Sequence, residues 1–215
     1  MVNPPSKRMS SILVSKIMKK LLRHFVLPLS VVAVLGCCGC AGVPKIPEMD
    51  RLADRISQPP PGKALVNFHR PSNLAKRGSA IFDGNGKLLV DLPGGSLFQY
   101  VCDPGEHVFI TWADHASVVK ADVAPDKIYD IMADTAAGWT RPGIYFTPLT
   151  KDNPRRAKLT EFEKREKKTL ALNPAAPRVA EYETQWQTRV DEVKRDFLGG
   201  QKSDCVNLLQ KDDGR

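Results

Sequence analysis

The chain has 215 residues, 42% of them hydrophobic and 26% charged, and a formal net charge of +8. Residues 1–36 hold Lys7, Arg8, Lys16, Lys19, Lys20 and Arg23 and no acid, so the remaining 179 residues carry 26 basic against 24 acidic side chains, a net of +2. The basic character thus belongs to the N-terminal segment, and neither a basic stripe nor a recognition motif argues for nucleic-acid binding.

Residues 1–36 read as a secretory signal. Basic residues precede the apolar run Phe25 to Leu35, which is too short for the roughly 20 apolar residues a membrane-spanning helix needs. Val34-Leu35-Gly36-Cys37 resembles the bacterial lipoprotein signal, in which the new N-terminal cysteine is acylated. Cys38 and Cys40 lack the aliphatic lead-in. Translation from Met18 rather than Met1 gives a more ordinary signal opening, Met18-Lys19-Lys20-Leu21-Leu22-Arg23. Cys37 is therefore the expected lipidation site, the covalent lipid being the only non-protein group expected. No other cofactor and no metal is expected. In the resemblance, Cys38 rather than Asp after the acylated residue implies the outer membrane, periplasmic side; the inner membrane is the alternative.

Residues 37–61 contain Pro44, Pro47, Pro59, Pro60 and Pro61, which favour extended chain, and read as a tether with a helical turn or two over Met49 to Ile56. From 62 to 150 short apolar strands alternate with turns. They are Ala64–His69, Gly78–Phe82, Lys87–Leu92, Ser96–Cys102, His107–Trp112, Ala116–Val123, Ile128–Ala133 and Ile144–Leu149. Asp83-Gly84-Asn85-Gly86 and Asp103-Pro104-Gly105-Glu106 are tight-turn sequences. Seven or eight such strands predict a mainly β fold, an antiparallel β-sandwich.

Residues 151–200 read as a helical extension. A capping box at Thr160 and Glu163 opens a first helix with Glu161/Arg165 and Glu163/Lys167 pairs. Pro174 and Pro177 end it. A second helix spans about Arg178 to Leu198, with Val179, Tyr182, Trp186, Val190, Val193 and Phe197 on one face. That face either packs on the sandwich or the first helix, or binds a partner through Trp186. Residues 201–215 are polar and expected to fray.

Several segments resemble the domain of unknown function 2846 (DUF2846) of bacterial lipoproteins. They are Gly62-Lys63-Ala64-Leu65-Val66-Asn67-Phe68-His69-Arg70-Pro71, the hairpin Asp83–Lys87, the turn Pro104-Gly105-Glu106-His107 and the strand with Tyr129. The resemblance covers roughly residues 60–150. It implies a small β-sandwich on a lipid anchor and supplies no catalytic residues.

The chemistry-bearing residues are sparse. His69, His107 and His115 match no metal-ligand spacing and read as surface or edge histidines. Ser117, His69 and Asp114 would make a triad only by chance, and no Gly-x-Ser-x-Gly elbow or phosphate loop is present. Cys102 and Cys205 are the two cysteines outside the anchor and form a candidate disulfide in an oxidising compartment. Trp139 and Arg141, in the connection 136–143, form a candidate partner-binding tip. The expectation is a non-enzymatic, lipid-anchored envelope protein that binds an envelope protein or glycan, or serves a structural role. The alternatives are an envelope hydrolase using His107, His115 and Asp114, and a spacer that self-associates through its second helix.

Overall fold

Eleven strands and two α-helices run along the described residues. The strands are β1 (Met49–Leu52), β2 (Ala64–Arg70), β3 (Ser79–Asp83), β4 (Leu88–Leu92), β5 (Ser96–Cys102), β6 (Gly105–Trp112), β7 (Ala116–Val123), β8 (Ile128–Ala136), β9 (Gly143–Pro148), β10 (Lys168–Leu172) and β11 (Asn207–Leu209). The helices are α1 (Leu159–Arg165) and α2 (Val179–Leu198). The computed structural model describes residues 49–52, 54–72, 78–112, 114–136, 143–172 and 178–215. All lie in the unit Lys45–Arg215.

The local turn chemistry works as its sequence dictates. In the β3–β4 hairpin the Asp83 carboxylate accepts from the backbone N–H groups of Asn85 and Lys87, both at 2.8 Å. Gly86 takes the positive φ of +85° that the turn requires. The eight expected strands, β2 to β9, are joined by β1, β10 and β11 in two stacked sheets, ordered β1-β10-β5-β2-β8-β9 and β11-β7-β6-β3-β4. Between them Phe68 packs edge-on to Phe109 at 5.0 Å and also meets Phe98 and Phe146.

The sheets are mixed rather than purely antiparallel. β2 runs parallel to β8, β10 to β5 and β11 to β7. A parallel pair needs a long crossover, and the sequence offers no helix between β2 and β8. The crossover is instead made of strands: the chain leaves the first sheet after β2, builds β3, β4, β6 and β7 in the second while returning once for β5, and re-enters as β8.

Three further expectations are corrected. Met49–Leu52 is a strand, not a helical turn, paired antiparallel with β10, so part of the segment read as tether belongs to the sandwich. The first helix stops at Arg165 instead of reaching Asn173. Its N-cap is Lys158 with no side-chain cap, so the Thr160 capping box is not used. A 3-10 turn capped by Asn153 leads into it, and Lys168–Leu172 is a strand with Leu170 in the core. Residues 201–215 do not fray. Leu209 of β11 is fully buried, and the Arg215 and Ile128 backbones exchange two hydrogen bonds of 3.0 Å.

The helices cover the outer faces. α2 lays Tyr182, Val190, Val193 and Phe197 on Phe82, Leu88, Ile110 and Val118 of the second sheet. The face predicted from the 3-4 spacing is thus used inside the fold. Across the molecule, Phe162 of α1 packs on Met132 and Leu149 at the outer side of the first sheet. The order is helix, sheet, sheet, helix, which explains why every residue of β2 is buried.

Candidate functional site

Alternate residues of β2 face opposite sides of the first sheet, so Ala64, Val66 and Phe68 enter the core while Leu65, Asn67 and His69 point the other way. The register puts Asn67 between Gln99 of β5 and Asp130 of β8. These three form a hydrogen-bonded row: Gln99 Nε2 donates to Asn67 Oδ1 at 3.0 Å, and Asn67 Nδ2 to Asp130 Oδ1 at 2.9 Å. His69, fully buried, lies between Asp130 on Nε2 at 2.9 Å and Glu166 on Nδ1 at 3.1 Å. Arg215 Nε donates to the second Asp130 oxygen at 2.9 Å. Arg55 donates to the backbone carbonyls of Glu163 and Glu166, which fixes the chain where α1 ends.

Two carboxylates decide the charge of the histidine. Burial alone would lower its pKa, but the hydrogen bonds and charges of Asp130 and Glu166 override it and raise the pKa to about 9. Burial pushes Asp130 up, yet His69, Arg215 and Asn67 hold it well below the ordinary carboxylate range. Glu166 is raised by burial, against the pull of His69. At neutral pH the row holds an imidazolium against the Asp130 carboxylate, with both ring nitrogens donating, Nε2 to Asp130 and Nδ1 to Glu166. Such a histidine is a structural cation and not a general base, since neither nitrogen is left to accept a proton. A second buried pair sits at the end of β2, where Arg70 donates to the Leu92 carbonyl. Burial pushes the nearby Asp91 carboxyl up to about 6, against the pull of Arg70.

Beside the row lies an open cleft of about 580 Å³. Pro71 and Ser72, just past β2, form one side of it, and Phe162 of α1 contributes an apolar wall. Asp134 of β8 holds Arg155 in a two-pronged ion pair at 2.6 and 2.7 Å. The opposite rim is basic: Lys164, Arg165 and Lys167 flank the inward-pointing Glu166 and are themselves exposed.

The sequence-predicted residues fall elsewhere. Cys37, Trp139 and Arg141 lie outside the described residues. Trp186 of α2 is half-buried against Trp112 of the second sheet and Tyr182 of its own helix. Cys102 and Cys205 are free thiols and form no disulfide. Cys102 is buried in the core of the first sheet, and Cys205 is exposed on a 3-10 turn leading to the edge of the second. His107 Nε2 donates to the Asp103 carbonyl of its own turn at 2.8 Å. It pairs in register with Ala121, whereas His115 precedes Ala116, about 17 Å away along β7. The hydrolase trio is thereby held apart. The Ser117 hydroxyl accepts from the Phe146 N–H, and the ring nitrogens of His69 meet Glu166 and Asp130 rather than Ser117. Among the described residues no group of three or more His, Cys, Asp or Glu side chains is placed to hold a metal ion.

His69, read as an edge histidine, is the centre of the polar row, and Asp130, Glu166 and Arg215 were not singled out. The available signal was Asn67 and His69 at alternate positions of an otherwise apolar strand. That pattern resembles a solvent face until a second covering layer is known. No protein-family model matches the chain, and no curated protein or solved structure is similar to it.

Proposed function

We propose that this chain is a lipid-anchored protein of the bacterial cell envelope, attached through Cys37 and acting as a non-enzymatic binding or structural module on the periplasmic face of the outer membrane. The observation that carries the reading is Val34-Leu35-Gly36-Cys37 behind a basic segment and a short apolar run. The resemblance of residues 60–150 to the lipoprotein domain DUF2846 supports the same placement. β1 begins at Met49, which leaves residues 37–48 to link the anchor to the sandwich, a reach of at most about 40 Å.

The buried ionic row supports a non-catalytic role, because its histidine, carboxylates and arginine satisfy one another. Among the described residues the geometry forms an exposed, charged cleft rather than a set of converging reactive groups. Labelled palmitate tests the reading. The wild-type chain should take up label and sediment with membranes, and Cys37→Ser should do neither. Label retained by Cys37→Ser would remove the anchor from Cys37.

A further inference from the structure

We infer that the cleft between α1 and the end of the first sheet binds a phosphate-bearing ligand through Lys164, Arg165 and Lys167. In sequence the stretch Glu161-Phe162-Glu163-Lys164-Arg165-Glu166-Lys167-Lys168 looks charge-balanced. The fold separates its charges. Glu166 turns inward to His69, and the Glu163 carboxylate lies 3.8 Å from Arg215. The Glu161/Arg165 and Glu163/Lys167 pairs expected from helical spacing do not form. Lys164, Arg165 and Lys167 consequently make no ion pair among the described residues and stand together on one rim.

The fourth cation of the cleft, Arg155, is also over the Phe162 ring at 5.7 Å, and Asp134 is the one carboxylate in the described lining. Four cations and one anion leave a net of +3. Three unpaired cations within four residues repel one another, and a multivalent anion relieves that repulsion. A phosphomonoester, with a charge of about −1.5 to −2 at neutral pH and three acceptor oxygens, matches this set better than a single carboxylate. The guanidinium of Arg165 supplies a two-pronged donor, while Pro71 and Phe162 offer an apolar wall to whatever carries the phosphate. The volume, about 580 Å³, lies in the range of small-molecule sites. A phosphorylated sugar and the headgroup of phosphatidic acid present the same group.

The inference goes beyond the envelope reading and does not depend on it. The test uses the purified full chain in neutral detergent. Inorganic pyrophosphate is titrated in and followed by calorimetry, alone and in competition with phosphatidic acid dispersed in the same neutral detergent. A cleft variant, Lys164→Gln/Arg165→Gln/Lys167→Gln, is compared with a control of equal charge loss, Lys87→Gln/Lys120→Gln/Lys194→Gln, and with single Arg165→Gln. Matching circular dichroism spectra and melting temperatures establish that the variants fold.

Saturable pyrophosphate binding weakened about tenfold or more in the cleft variant, and unchanged in the control, is the expected result. If phosphatidic acid displaces pyrophosphate from the wild-type cleft, the phosphate source is a lipid headgroup. If it does not, the source is a soluble phosphate compound. Equal loss in cleft and control variants, or no saturable binding in either arm, overturns the inference. Palmitate incorporation is unaffected in every case, so a failed anchor and a failed cleft give separate results.

Discussion

Replacing His69 by Gln removes the cation at the centre of the buried row while keeping a polar side chain on β2. The imidazole is fully buried and its pKa is raised from 6.5 to about 9. Binding a proton that much more tightly in the folded than in the unfolded chain corresponds to about 3 kcal/mol of stability. Because the folded value is the higher one, this stability is fully present below pH 6.5, falls as pH rises, and is mostly gone near pH 9. Asp130 acts at the other end: its depressed pKa gives stability that is lost only as pH drops below the ordinary carboxylate range. Asp91, pushed up to about 6, titrates at the lower end of the pH 6 to 9 window, but it is present in wild type and variant alike and so cancels from their difference. Burial raises the Cys102 thiol to about 11, so it removes stability above pH 9, beyond the window.

The assay is urea unfolding of the full chain in mild detergent, followed by the fluorescence of Trp112 and Trp186, in steps from pH 6 to 9. Wild type should exceed His69→Gln by about 3 kcal/mol at pH 6, and the gap should narrow by about 2 kcal/mol or more at pH 9. A gap that is the same at every pH would show that His69 is neutral and that the row is held by hydrogen bonds alone.

Three further outcomes are expected. Deleting residues 207–215 removes buried Leu209 of β11, the Asp213 carboxylate that accepts from the Lys151 N–H at 2.9 Å, and the Arg215 partner of Asp130. The melting temperature should fall by about 6–12 °C, corresponding to about 3 kcal/mol, and an unchanged value would restore the frayed tail. Phe82→Ala empties a fully buried site stacked between Trp112 at 4.9 Å and Tyr182 at 6.0 Å. It should lower the unfolding free energy by about 3–5 kcal/mol in urea, whereas a loss under about 1 kcal/mol would mean that α2 is not packed on the sheet. Maleimide labelling with peptide mapping should modify Cys205 in the native protein and the buried Cys102 only after unfolding. Protection of both until a reductant is added would establish the bridge.

What the sequence shows and hides follows the range of the interactions involved. β2 to β9 are bounded by turns whose residues act locally, such as Asp83 and Gly86, and α2 carries its periodicity within itself, so these elements were legible. β1, β10 and β11 owe their extended form to distant partners. Lys168-Thr169-Leu170-Ala171-Leu172 has no strong strand signature and becomes a strand because β5 and β1 flank it. The parallel pairing of β2 with β8 was hidden for the same reason, since the crossover is built from strands of the other sheet. The polar row was misread because its residues come from β2, β5, β8, the end of α1 and the C-terminus. Glu163 reads as the partner of Lys167 one helical turn away, but Arg215 attracts it instead, and Glu166, given no partner by the sequence, turns to His69.

The anchor is the claim on which the envelope reading stands, and intact-mass spectrometry of the protein extracted from membranes tests it most directly. The account predicts a polypeptide that begins at Cys37 and carries a mass increment equal to covalent acyl chains on that residue. A chain beginning elsewhere, or Cys37 recovered as an unmodified thiol, would contradict it.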